Sequence, residues 1–170
     1  MRRTHIMLHH SLTADGPTVS WGAIEAFHTS WRKVEADGMR TSVTEDEAMK
    51  LKAAGAKVEA PWSDIGYHAG VELVGDRYYA MLGRSIHRQA AACPESGMNV
   101  LALHVCCVGN YDVVKPSAAM LFVLKMRVLL PWMNQFGIAA DKIVCHRDFN
   151  PSKSCPGTLF DPEDVRRLVQ

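Results

Sequence analysis

The chain has 170 residues, 48% hydrophobic and 22% charged, with 19 Lys and Arg against 18 Asp and Glu and a formal net charge of +1. That length lets one domain bury its own core, and the near-zero charge gives no electrostatic case for nucleic acid or an anionic membrane as partner. No apolar run reaches the roughly 20 residues that a bilayer span needs, and five cysteines, an odd number with Cys106 and Cys107 adjacent, do not suggest a disulfide framework.

Residues 6–9 (Ile-Met-Leu-His) are short, apolar and read as a buried strand that runs into His10-Ser11. Successive strand side chains point to opposite faces, so His9 shares a face with Met7, and His10 with Ile6 and Leu8. Taken alone, such a pair is solvated or hydrogen-bonded rather than functional. Residues 12–20 carry Gly16-Pro17 and read as a loop. Ser20 can cap a helix predicted over 21–34, where Ile24, Phe27, His28 and Trp31 recur at helical spacing. His28 there reads as a packing or rim residue. Thr44 and Glu47 form a capping-box pattern, with Glu45 and Asp46 in the positive first turn; good helix formers follow over 48–54, and Gly55 is a stop. This Lys- and Glu-rich piece reads as a solvated helical insertion at about 35–60, without chemistry of its own.

Residues 69–74 and 78–82 are strand candidates joined at Gly75-Asp76, a hairpin signal. Tyr67-His68 stands at the entrance of the first and Gly83-Arg84 at the exit of the second. Residues 85–98 read as an irregular connection. The strongest strand is predicted over 99–108 (NVLALHVCCV), nearly continuous in apolar residues as befits a strand covered on both faces. His104, Cys106 and Cys107 lie within it and read as core. The longest helix is predicted over 116–136, divided near Pro131 and stopped by Gly137. Residues 143–145 are a short strand, and Asp161-Pro162-Glu163-Asp164 opens a closing helix through Leu168. Strands interleaved with helices around one apolar strand give an α/β (α+β) single domain with a mixed central sheet flanked by helices.

The densest chemistry lies in residues 145–157, CHRDFNPSKSCPG. It places an imidazole, an ammonium and a thiol on one turn-rich connection after a strand, where folds present functional groups. His146 and Cys155 are too far apart for one helical turn, so the loop must fold back to bring them together. Two ligands do not make a zinc site. If the strands ending at His9 and His146 are neighbours in one sheet, His9, His146 and Cys155 form a His₂Cys set with the fourth position open, the pattern of a catalytic zinc. Metal-assisted hydrolysis of an amide or ester follows as the reaction class. Lys153 could stabilise the oxyanion, and Tyr67 could hydrogen-bond the same intermediate.

Four segments occur in order: Ile-Met-Leu-His-His-Ser, Trp-Ser-Asp-Ile-Gly-Tyr-His, Gly-Arg, and His-Arg-Asp followed by Lys-Ser-Cys-Pro-Gly. Together they resemble the zinc-dependent N-acetylmuramoyl-L-alanine amidases of the bacteriophage-lysozyme and peptidoglycan-recognition-protein type, over about residues 6–160. The resemblance implies a peptidoglycan-binding groove and hydrolysis of the amide between N-acetylmuramic acid and the L-alanine of the stem peptide. It implies one Zn²⁺ held by His9, His146 and Cys155, with Tyr67 and Lys153 as the catalytic residues. His10 matches no assigned role. Three departures stand out. The segment 32–61 is longer than usual; Ala91-Ala92-Cys93 replaces a turn that often carries histidine; and the central strand holds about two extra residues. Cys106 falls near the position of the catalytic glutamate of the cytosolic muropeptide-recycling amidases, which favours the tyrosine–lysine branch.

The leading expectation is a monomeric phage or prophage endolysin. The reduced thiols and the start of the chain, too polar for a signal peptide, suggest synthesis in the cytoplasm and action on the bacterial cell wall after release. A cytosolic recycling amidase acting on soluble anhydro-muropeptides is the alternative enzyme. A non-catalytic peptidoglycan-binding module is the alternative from another class, and the retained Cys155 speaks against it.

Overall fold

The computed structural model describes residues 2–13 and 20–170, so most of the loop expected over 12–20 lies outside the described residues. The main sheet begins with β1 (His5–His10), which pairs in parallel with two later strands. Ser20 caps α1 (Trp21–His28), its side chain accepting the Ala23 N–H. The helix predicted over 21–34 stops six residues early. The Thr29 and Ser30 hydroxyls turn back to the carbonyls of Glu25 and Phe27, and the Arg32 guanidinium donates to the carbonyls of Phe27 and His28 at 3.1 and 2.6 Å. Those groups satisfy the open carbonyls of a helix end with a cation, which suits the helix dipole there.

Beyond that break, Trp31 and Val34 belong to β2 (Trp31–Val34), which pairs antiparallel with β3 (Arg40–Val43) and with β4 (Val58–Glu59). Between β3 and β4 lies α2 (Glu45–Ala53), capped by Thr44 as the sequence predicts. The stretch read as a helical insertion is therefore a three-stranded sheet carrying one helix. The wide spacing of its apolar residues suits partly exposed strands as well as a solvated helix, so periodicity does not separate the two.

The chain then enters the hairpin of β5 (Ala69–Val74) and β6 (Arg77–Leu82), turning at Gly75 with φ +65°. After an irregular connection and a 3₁₀ turn at Glu95–Gly97, a helical turn α3 (Met98–Leu101) leads into β7 (Ala102–Cys107). The strand predicted over 99–108 thus begins three residues late, because a short apolar run can serve either element. The long helix is α4 (Ala118–Leu124), a π turn at Lys125–Leu129, and α5 (Leu130–Phe136). Pro131, which has no N–H to give, accounts for the division. β8 (Ile143–Cys145) and α6 (Pro162–Leu168) complete the fold.

The five-stranded order is β6-β5-β7-β1-β8, parallel except for β6. This is the expected mixed sheet flanked by helices. One face carries Ile6, Leu8, Leu103, Val105 and Ile143 and packs on Met120, Leu124, Leu129, Trp132 and Val165 of α4, the π turn, α5 and α6. The other carries Met7, Ala102 and Cys106 in two smaller clusters. By strand alternation His9 and His104 share this second face, the one that builds the site. Trp21 lies flat on it: a Cβ at Gly70 would meet the indole at 2.3 Å, so only glycine lets α1 approach β5 this closely.

Candidate metal centre

Strand register sets the first contact. Leu8 pairs with Cys145, so His9 and His146 emerge side by side from the ends of β1 and β8, with ring centroids 5.0 Å apart. The loop after His146 folds back through its neighbour Arg147. Its backbone N–H donates to the Cys155 carbonyl at 2.9 Å, and its guanidinium to the carbonyls of Ser154, Gly157 and Phe160 at 3.1, 2.7 and 2.9 Å. From the other side Asp112 accepts the Ser154 hydroxyl and the Thr158 N–H, each at 2.7 Å. Gly157, at φ +118°, lies so close to Tyr111 that a Cβ would meet its carbonyl carbon at 2.4 Å. The loop is therefore clasped along its length, and Cys155 is delivered to the two imidazoles.

Ligand atoms of His9, His146 and Cys155 all lie within 4.8 Å of one another. Nδ1 of His9 is 3.6 Å from Sγ of Cys155. A tetrahedral zinc with a Zn–N distance of about 2.1 Å and a Zn–S distance of about 2.3 Å would hold these two atoms about 3.6 Å apart. The donor set and its spacing fit such a cation. Burial holds the His9 ring well below the usual histidine range, with His104, His146 and His10 adding to the shift. Burial also lowers His146, against Glu95 and together with Lys153. Both rings thus offer lone pairs. Burial pushes the Cys155 thiol up to about 11, while the His10 amide, Arg147 and Lys153 act to lower it. Cation binding would displace that thiol proton. The His10 backbone N–H already donates to the sulfur at 3.4 Å. His10, left without a role by the sequence, contributes its amide, while its ring turns to the other face and accepts the Tyr111 N–H.

Two groups stand behind the histidines. His9 Nε2 is 2.8 Å from His104 Nδ1. Glu95 Oε2 is 3.9 Å from His146 Nε2, and Glu95 itself accepts from the Cys93 thiol at 3.1 Å and from Asn150 Nδ2 at 2.6 Å. Cys93, Glu95 and His146 also form a second close group of potential ligands. A carboxylate behind a ligating histidine is a common way to fix the ring. Sequence reasoning missed Glu95, Arg147 and the contact of His104. Glu95 sits in a connection without periodicity, and nothing in an apolar strand reveals which atom His104 bonds.

Tyr67 forms the opposite wall, its ring 5.2 Å from that of His9. Its hydroxyl hydrogen-bonds the Cys106 thiol, and burial keeps the phenol well above its usual range, so it remains protonated. Lys153 is exposed on the clasped loop, near enough to depress both His146 and Cys155. His28 is the rim residue expected, packed between Trp62 and Tyr67 at 4.7 and 5.5 Å and accepting the Gly66 N–H. It borders two cavities. One, of about 300 Å³, also includes Ser11, Ile24, Phe27 and Tyr67. The other, of about 390 Å³, runs between Arg32, Arg40, Glu59 and Trp62 and the segment Ala91, Ala92 and Pro94.

Residues 1–158 match the N-acetylmuramoyl-L-alanine amidase family. The chain belongs to that family. Solved structures share the family fold over almost the whole chain. The endolysin N-acetylmuramoyl-L-alanine amidase LysCS from Clostridium intestinale URNW is 21% identical with a TM-score of 0.65, covering 99% of this chain and 84% of its own. Bumblebee PGRP-SA is 18% identical with a TM-score of 0.61, covering 96% and 80%. Peptidoglycan recognition protein-LE, solved with tracheal cytotoxin, a monomeric diaminopimelic acid-type peptidoglycan, is 18% identical with a TM-score of 0.62, covering 98% and 80%. At these identities the likeness establishes the fold. No curated protein sequence matches the chain. Among the described residues no helix is long and apolar enough to cross a membrane.

Proposed function

We propose that this amidase-family protein is a zinc-dependent endolysin that hydrolyses the amide between N-acetylmuramic acid and the L-alanine of the stem peptide. The observation that carries the reading is the convergence of His9, from the end of β1, with His146 and Cys155, from the two ends of one folded-back loop, at spacings that suit one cation. A zinc held there by His9, His146 and Cys155 would supply acidity to an attacking water and polarise the scissile carbonyl.

The chain's own groups do the rest. His9 and His146 enter as neutral rings and Cys155 as the one anionic ligand. The Tyr67 hydroxyl rests on a thiol, a weak acceptor that it can exchange for a substrate oxygen as charge develops there. The Lys153 ammonium, exposed on the same loop as Cys155, would neutralise that oxygen. The structural neighbours named above, an endolysin and a complex with a monomeric peptidoglycan, support peptidoglycan as the substrate class.

Digestion of purified sacculi with mass analysis tests the reaction. Stem peptides with a free L-alanine amino group are expected, at about one zinc per chain. New reducing sugar ends, or activity confined to soluble anhydro-muropeptides, would overturn the assignment. Cys155→Ala should lose the zinc and all turnover while the chain stays folded.

A further inference from the structure

His104 has no assigned role, lies wholly inside the sheet, and touches His9 through one atom. Its other nitrogen, Nε2, is 3.0 Å from the Met98 carbonyl oxygen. The two rings meet edge to edge, with centroids 5.1 Å apart and planes 22° from parallel, as an in-plane hydrogen bond requires. The position of Met98 follows from α3, the helical turn that shortens β7 and leaves the carbonyl of its first residue under the His104 ring. That carbonyl also accepts the Ala102 N–H, using its second lone pair.

The polarity of this chain of bonds follows from its end. A carbonyl only accepts, so His104 Nε2 carries a hydrogen and donates it. A neutral imidazole has one such hydrogen, so His104 Nδ1 is a lone pair. His9 Nε2 must then be the donor of the 2.8 Å bond, which leaves His9 Nδ1 bare, 3.6 Å from the Cys155 sulfur. We infer that His104 is a positioning residue that fixes His9 in the Nε2–H tautomer, so that Nδ1 is held ready for a metal ion. A second imidazole braces the arrangement. The His104 backbone N–H donates to His68 Nδ1 at 2.9 Å, and His68 Nε2 in turn donates to the Arg88 carbonyl at 3.0 Å. Burial favours the neutral form of both rings, pushing His104 down to about 3 and His68 to about 4.

The inference rests on reading His9 as a metal ligand, and the deciding measurement needs neither metal nor substrate. Nitrogen-15 NMR of the metal-free full chain should show His9 protonated at Nε2 and bare at Nδ1. A hydrogen on His9 Nδ1 in the wild type would overturn the inference. Zinc affinity, from competition with a chromophoric chelator, supplies the second readout. His104→Phe keeps a ring but removes the acceptor and should weaken zinc by about 10- to 100-fold. His104→Asn places an amide oxygen close to the lost Nδ1 and should restore most of that affinity. Equal loss in both folded variants, or no loss in His104→Phe, would reduce His104 to packing. If His104→Phe does not fold, the wild-type tautomer alone decides. Failure of the wild type to bind zinc would sink the enzymatic reading and leave the tautomer result standing.

Discussion

Along β7 every residue from Ala102 to Cys107 is buried, whereas β3 leaves Arg40, Thr41 and Ser42 open to water. The polar groups of the two sheets are satisfied accordingly. In the large sheet water is excluded, so His9, His104 and His68 must find protein partners, and each ring is bonded to the next group at 2.8 to 3.0 Å. The small sheet is more exposed, and a buried arginine ties it to α1. Arg32, 1% exposed, donates to Phe27, His28 and Ala60 carbonyls and stacks 4.7 Å above Trp62, with Glu59 at 3.6 Å from its Nε. The sheet that holds the chemistry is over-determined by many bonds. The added sheet hangs on few.

Four perturbations test that contrast. Lys153→Ala, on the exposed rim of the large sheet's site, should lower turnover by about 10²–10³ with zinc and thermal stability retained; unchanged turnover would remove Lys153 from the mechanism. Arg32→Met strikes the small sheet and should cost roughly 2–4 kcal/mol, since it removes three hydrogen bonds to carbonyls and the stack on Trp62 at once. Limited proteolysis should then cut within 31–60 while bound zinc is unchanged, and loss of zinc would show the two sheets to be coupled.

Acid should act on the large sheet next. His68 titrates at about 4 because burial disfavours its charged form. The unfolded chain takes up that proton near 6.5, so the contribution is complete above 6.5 and is lost as pH falls towards 4. By pH 5 the loss is about 2 kcal/mol from His68 alone. Urea midpoints at pH 7 and pH 5 measure it, and His68→Gln should flatten the dependence. The smallest effect belongs to Thr44→Ala, which removes the cap of α2 and should cost about 1 kcal/mol, seen as faster amide exchange in that helix alone.

Much of the fold was legible because local chemistry decided it. Thr44, Asp161-Pro162 and Gly75 act on their own neighbours, and the caps and turn they announce are present. The end of α1 was not legible. Trp31 completes a helical spacing, and the break depends on Arg32 reaching back to carbonyls that only the folded chain presents. The start of β7 was lost for another reason, since Val100 and Leu101 suit a helical turn as well as a strand. His9, His146, Cys155, Tyr67 and Lys153 were readable as residue types in order. Their supports were not: Arg147, Glu95 and His104 matter through which atom meets which carbonyl, ring or ion, and a sequence does not print that.

Arg147 follows His146 directly, and its guanidinium grips the segment that carries Cys155. Two of the three candidate ligands are therefore fastened to one strand end and travel together. The third stands on β1, bonded edge to edge with that same strand. Slow breathing of the sheet at its far side, where β6 forms the border, would leave the triangle of donor atoms undistorted. It would instead carry Tyr67, at the entrance to β5, toward or away from them. The three candidate ligands share one frame, and Tyr67 faces them from another strand.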